Sequence, residues 1–196
     1  MKKIFFTIAL AILTTFSFAT KPHIDNVRVD TKNSTIKWIG SKISSNHEGT
    51  INIDKGMLMI DHGKLVGGQF SIDMQSLATT DMSDKYNKKL DGHLKNEDFF
   101  NVEEFPLATI NLTKVMKGAG NSYKIVADLT IKGITHPISF AAEIEINGIN
   151  VSAAANIRID RTKWDIKYNS GNFFENLGDK LILDEIILDV SLVSVK

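Results

Sequence analysis

The 196-residue sequence contains no cysteine. Without thiols the chain has no disulfide bonds, no thiol catalysis and no thiolate ligands for a metal ion. The cysteine to which bacteria attach the lipid of a lipoprotein is also missing, so we expect a soluble, released product. The hydrophobic core must therefore hold the fold unaided.

The sequence also lacks an excess of charge of either sign, with 23 basic and 23 acidic residues. Nucleic-acid binding and electrostatic docking on anionic membranes both need a basic surface, so this balance argues against both. Only two Trp and three Tyr are present and they are scattered, whereas a transmembrane β-barrel carries two aromatic girdles. We predict no nucleic-acid partner and no stable membrane insertion.

No apolar run is long enough to span a bilayer. The longest, residues 4–13, follows two lysines and precedes a small-x-small tripeptide at 17–19, which is the pattern of a secretory signal peptide. Export would place the mature chain in the periplasm or outside the cell. The predicted organisation is a signal peptide over 1–19 cleaved near Ala19, a short linker over 20–26 and a single domain over 27–196.

Most of the remaining chain alternates apolar and polar residues with period two, which predicts about eight β-strands with one apolar face each. Such strands bury that face in a sandwich or a closed barrel. Asn147-Gly148 lies between two alternating runs and predicts a hairpin with a type I′ turn. Residues 83–95 have helical spacing instead and predict one short helix.

The apolar faces include several small residues, and small inward residues leave space inside a barrel. That space could accommodate the packed helix or form a ligand cavity, and the residues alone favour neither. These small residues are Gly40, Gly49, Gly68, Ala127, Ala142, Ala153 and Ala155.

Five histidines raise the question of a metal site or a hydrolase. No pair has the one-turn spacing of a helical zinc site, so we interpret them as polar residues at strand ends and predict no metal or cofactor. A hydrolase that uses His47 or His93 stays an alternative, although no Gly-x-Ser-x-Gly motif is present.

Two phenylalanine pairs, at 99–100 and 173–174, lie in irregular segments. We favour a plug at one barrel end over the mouth of an apolar cavity. Arg161 follows Asp160 and precedes Trp164, and a structural ion pair or cation–π contact is favoured over contact with an anionic or carbonyl head group.

Taken in order, the short motifs of this chain resemble those of the bacterial YceI-like family. The resemblance runs from about residue 27 to the C terminus. One departure is Asp165, where the family commonly has glycine. The matching motifs are KWIG at 37–40, HEGTI at 47–51, GGQFSIDM at 67–74, HLKNEDFF at 93–100, FPLAT at 105–109, LTIKGIT at 129–135 and DRTKW at 160–164.

The resemblance implies an all-β fold, an extended eight-stranded antiparallel lipocalin-like barrel with one short helix. It implies a periplasmic or secreted protein with a long tunnel for a polyisoprenoid or a fatty amphiphile. The implied ligand-binding residues are Trp38, Phe70 and Phe140 in the wall, Leu90, Leu94, Phe99 and Phe100 at the helix-side mouth, His47 or Arg161 for head-group contact, and Trp164.

The expected function is therefore to sequester or carry a long-chain isoprenoid or similar amphiphile, without catalysis. A forty-carbon tail at roughly 0.3 kcal/mol per heavy atom would gain about 12 kcal/mol, near nanomolar affinity. The alternatives are a histidine-based hydrolase and a ligand-free, stress-related interaction protein with a filled core. A homodimer is one assembly that the sequence leaves open.

Overall fold

The computed structural model describes residues 23–195, so the predicted signal peptide lies outside the described residues. Within these residues, nine strands form one antiparallel sheet, and one α-helix joins the fourth strand to the fifth. The elements are β1 (Ile24–Arg28), β2 (Thr35–Lys42), β3 (Asn46–Asp61), β4 (Lys64–Thr79), α1 (Asp84–Lys95), β5 (Leu107–Lys117), β6 (Ser122–Ile131), β7 (Ile134–Asn147), β8 (Asn150–Asp160) and β9 (Ile182–Val193), with short 3-10 helices at Arg161–Trp164 and Gly178–Lys180.

The sheet closes into a barrel because β3 pairs with β4 as well as with β2. β1 pairs with residues 57–61 of β3, on the edge whose first part pairs with β2. β1 and β2 therefore lie end to end beside β3, and together they count as one strand position in the barrel wall. The wall has eight positions, which confirms the predicted eight-stranded antiparallel barrel. β1 begins at Ile24, so the last residues of the predicted linker are strand.

The period-two alternation sets which side chains enter the barrel. In β6, Tyr123, Ile125 and Leu129 are buried, whereas Lys124 between them is exposed. A strand with this pattern has to bury one face, since successive side chains point to opposite sides of the sheet. The alternation therefore predicts the inner wall correctly.

The hairpin at residues 147–150 is confirmed, but its predicted turn type is wrong. Asn147 pairs with Asn150, and Gly148 alone has positive φ there, which is the pattern of a type II′ turn. Type I′ pairs of positive φ occur instead at His62-Gly63 and at Lys132-Gly133.

Helix α1 matches the predicted helix closely and packs against β4. Asp91 holds it there, because its Oδ1 accepts hydrogen bonds from both the backbone N–H and the hydroxyl of Thr79, each at 2.7 Å. Leu90 and Leu94 turn towards the barrel interior and pack on the core. None of the helices within residues 23–195 has the length and apolar character needed to cross a bilayer.

The two ends of the barrel are built differently. The closed end has the short turns at 62–63, 118–121 and 148–149, whereas the mouth has the turns at 43–45 and 132–133 and the long segments 80–106 and 161–181. Large buried side chains fill the interior at the closed end. They include Val27, Leu58, Ile60, Leu65, Tyr123, Ile144 and Val151, each 5% exposed or less.

Candidate functional site: an apolar cavity at the barrel mouth

A cavity of about 630 Å³ occupies the half of the barrel next to the mouth. Its wall is apolar and comes mainly from the strands, with Ile51, Ile72 and Leu188 as examples. The helix and the segment 161–181 cover it and add a few polar groups. A volume of this size lies in the range of small-molecule sites, and its surface suits a hydrocarbon.

Seven of the ten predicted ligand-binding residues line this cavity, and three do not. The seven are Trp38, His47, Leu90, Leu94, Phe99, Phe100 and Arg161. Phe70 and Phe140 lie one layer deeper, towards the closed end, where they are partly buried against the core. Trp164 is 1% exposed and is a core residue: its indole N–H donates to the Leu129 carbonyl at 3.1 Å, and the His136 ring meets it edge-on.

Trp38 takes its place in the cavity wall because β3 has a glycine beside it. The Trp38 indole N–H donates to the Thr50 carbonyl at 3.3 Å. A side chain at Gly49 would overlap the Ala78 carbonyl and come within 2.6 Å of the Trp38 ring. At Gly49 the small residue makes room for packing, whereas at Gly40, which lines the cavity, a Cβ would meet nothing within 4 Å. Packing and cavity thus each account for some of the small inward residues.

His47 places a polar group at the cavity rim. Its Nδ1 lies 3.0 Å from Asp81 Oδ2, and the two side chains are 26% and 21% exposed. Because Asp81 accepts from Nδ1, Nε2 is the ring nitrogen left to accept a hydrogen bond from a ligand hydroxyl or N–H group. Ser41, Lys42 and His93 also line the cavity and add further polar atoms at this side.

Arg161 is almost fully buried, and the protein itself uses most of its donors. The guanidinium donates to the carbonyls of Ile166 (2.7 Å), Ile182 (3.0 Å) and Leu183 (3.2 Å).

A carboxylate and an aromatic ring complete the surroundings of this guanidinium. Asp184 Oδ1 lies 3.3 Å from it, and the Phe99 ring lies 5.7 Å away. Burial lowers the pKa of Arg161, while Asp184 and Asp160 oppose that shift. These contacts fit the predicted structural ion pair and cation–π contact better than a head-group site, and they fasten the segment 161–181 to β9.

The two phenylalanine pairs have different positions. Phe99 and Phe100 are 6% and 9% exposed, and they both plug the barrel end and line the cavity. The Phe99 ring packs on Tyr168 with centroids 5.6 Å apart. Phe173 and Phe174 are about half exposed and are not a plug.

The sequence interpretation missed the lining residues of the segment 161–181. These are Tyr168, Asn169, Asp179 and Lys180, and Leu183 follows at the start of β9. They lie mostly in irregular chain, which has no hydrophobic period from which an inward face could be predicted.

A model of the YceI-like domain matches residues 28–194, nearly all of the described chain. The chain belongs to the YceI-like family. Among curated relatives, a UPF0312 protein of Yersinia pestis (strain Pestoides F) is 30% identical over 117 residues, which is 60% of this chain and 60% of that protein. The match thus spans about three fifths of that relative's length.

Solved structures share the fold of this YceI-like chain. BcnA from Burkholderia cenocepacia superposes with a TM-score of 0.70 at 21% identity, over 85% of this chain and 99% of BcnA. A polyisoprenoid binding domain from Saccharophagus degradans gives a TM-score of 0.61 at 14% identity, over 89% of this chain and 98% of that domain.

Proposed function

We propose that this YceI-like protein binds a long-chain amphiphile, with an isoprenoid as the leading candidate, and keeps its tail out of water. The observation that carries the proposal is the apolar cavity of about 630 Å³ at the barrel mouth. Removing a hydrocarbon from water into a preformed apolar site supplies the driving force without a metal or cofactor. The name of the Saccharophagus degradans domain, a polyisoprenoid binding domain, supports the same ligand class.

The cavity volume limits the length of tail that is enclosed. If each heavy atom takes about 30 Å³, as a liquid water molecule does, the cavity takes about twenty heavy atoms, or about four isoprene units. At roughly 0.3 kcal/mol per heavy atom this gives about 6 kcal/mol and a Kd of tens of micromolar. This revises the expectation of about 12 kcal/mol from a forty-carbon tail, of which half would lie outside the cavity.

The polar end of the ligand is expected at the rim beside His47. Asp81 orients that ring by accepting from Nδ1, which leaves Nε2 to accept a hydrogen bond from a ligand hydroxyl or amide N–H. The predicted signal peptide, if cleaved near Ala19, places the binding protein in the periplasm or outside the cell, where a free isoprenoid is poorly soluble.

The hydrolase alternative rests on the same His47–Asp81 pair. Such a pair resembles the base and orienting acid of a triad, and it needs a nucleophile within hydrogen-bond reach. Among residues 23–195, Asp81 is the one side chain hydrogen-bonded to His47. Catalysis stays a prediction, tested by esterase assays of His47→Gln. A filled-core interaction protein is disfavoured by the cavity.

The test uses native mass spectrometry and a matched pair of glycine substitutions. Gly40→Leu puts a side chain into open cavity space, and Gly92→Leu puts the same side chain on the exposed surface of α1. We expect the native-purified wild type to carry a lipid, and Gly40→Leu to bind a twenty-carbon isoprenoid alcohol at least tenfold more weakly. Gly92→Leu should bind like wild type, with circular dichroism showing that both variants fold. Equal binding by all three proteins would contradict a cavity-bound ligand.

A further inference from the structure

In the part of the chain that the structure describes, the exposed Phe and Tyr side chains are all at the mouth end of the barrel. Within residues 23–195 they are Tyr86, Tyr168, Phe173 and Phe174, and their exposure runs from 40% to 59%. Each lies on a segment that forms the barrel mouth. Exposed apolar groups that cluster in this way mark interaction surfaces more often than single scattered residues do.

Five exposed apolar residues near the mouth form a surface that we call the aromatic rim. They are Ile43, Tyr168, Phe173, Phe174 and Leu183, each at least 40% exposed. Tyr168 and Leu183 belong to the rim and also line the cavity. Ile43 follows Lys42, which lines the cavity and pairs with the start of β9. Apolar surface is therefore continuous from the cavity wall to the outside of the molecule.

A hydrogen-bonded turn at residues 170–174 keeps Phe173 and Phe174 on the surface. The backbone N–H groups of Phe173 and Phe174 donate to the Ser170 carbonyl at 3.1 and 3.0 Å, and Ser170 is fully buried. Asn172 ties the same turn to β9, because its side-chain amide donates to Asp184 at 2.7 Å. The exposure of these rings is thus fixed by the fold, although burying them would stabilise the chain.

The charges around the aromatic rim cancel. The segment 163–180 contains three lysines and three carboxylates. Lys167 pairs with Asp165 at 2.6 Å and lies 5.0 Å from the Phe173 ring centroid. Because the net charge around the aromatic rim is zero, the rim has no electrostatic preference for an anionic partner. Aromatic rings beside lysines are suited to the polar–apolar boundary of a zwitterionic bilayer.

We propose that the aromatic rim is a docking surface for a zwitterionic lipid bilayer, through which an amphiphile moves between membrane and cavity. The proposal rests on the proposed function for its cargo. An apolar tail can pass from membrane to cavity without crossing water only if the apolar surface around the mouth touches the membrane. Docking is interfacial and reversible, consistent with a chain that does not insert stably.

The experiment compares two double variants in flotation with phosphatidylcholine vesicles. Phe173→Ser with Phe174→Ser removes the aromatic rim's two phenylalanines, and Val66→Ser with Ile149→Ser makes a matched change at the closed end, where these side chains are 46% and 60% exposed. We expect the rim variant to float at least fivefold less than wild type, and the closed-end variant to float like wild type. Equal flotation of all three proteins would overturn the proposal.

A second measurement uses a fluorescent twenty-carbon isoprenoid alcohol. The rim variant should load at least tenfold more slowly from vesicles, with unchanged equilibrium binding from an ethanol dispersion. Unchanged loading from vesicles would overturn the docking role. Adding phosphatidylglycerol to the vesicles should leave flotation unchanged, and a large, salt-sensitive increase would overturn the neutral-bilayer assignment.

These assays distinguish a failure of the proposed carrier function from a failure of the proposed docking surface. Flotation needs no cargo, and Gly40→Leu should float normally while failing to take up the probe. If wild type takes up no probe but its flotation depends on the rim, the carrier function fails and the docking surface stands. If uptake is normal and flotation is independent of the rim, docking fails and the carrier function stands.

Discussion

The closed half of the barrel is solid, whereas the mouth half is hollow, although the same strands build both. β6 contributes Tyr123 to the packed interior at one end, and Leu129 and Ile131 to the cavity wall at the other. Its alternation does not change along the way. The two ends differ in their connections, because only short turns join the strands at 62–63, 118–121 and 148–149, whereas the mouth also has the two long segments 80–106 and 161–181. The alternation within each strand determines which side chains face inwards. The connections at each end determine whether the space between those side chains is filled.

The largest expected effect comes from releasing the segment that covers the mouth. Arg161→Met removes the hydrogen bonds to three carbonyls and leaves Asp184 facing an uncharged side chain. Breaking a buried ion pair by removing one partner costs about 3 to 5 kcal/mol. We expect a loss of that size in the free energy of unfolding by urea, with faster hydrogen exchange at residues 166–183.

Two controls make the Arg161 experiment specific. The double variant Arg161→Met with Asp184→Leu removes both charges and should recover only the part of the loss that comes from the unpaired charge, because the three carbonyls still lack their donor. Arg161→Lys keeps the positive charge but loses the several N–H donors of the planar guanidinium. Its free energy of unfolding should therefore lie between those of wild type and Arg161→Met. A fully stable Arg161→Met would show that other contacts hold the segment.

The next effect compares one substitution in the two halves. Leu58 is 4% exposed in the packed half, whereas Leu188 lines the cavity. Leu58→Ala should cost about 3 kcal/mol, because it creates a new void, and Leu188→Ala about 1 to 2 kcal/mol, because it enlarges an existing one. Urea unfolding measures both. Equal losses would mean that the two halves are equally packed in solution.

Much of the fold could be predicted from the sequence, because the alternation is regular and the helix spacing is distinct. The mouth was harder to predict. Trp164 lies in a motif that resembles the family's, yet its contacts with Leu129 and His136 make it a core residue. Phe70 and Phe140 face inwards as predicted but lie below the cavity, because alternation gives a side chain's direction and not its depth.

Asp165, where the resemblance predicts glycine, gives the smallest predicted effect. It has a φ of 60°, in the left-handed region, at the end of the 3-10 helix, and glycine adopts this conformation without strain. Asp165→Gly removes that strain but adds freedom to the unfolded chain, so we expect a stabilisation below about 1 kcal/mol. Asp165→Ala keeps the Cβ but loses the short polar side chain that makes this conformation more accessible to Asp, so it should destabilise the protein by up to about 1 kcal/mol. Both variants lose the exposed Lys167 pair, so its loss cancels in the comparison. Thermal unfolding of the two variants side by side measures the difference in stability between them, and a Gly variant no more stable than the Ala variant would show that the backbone at this position is not strained.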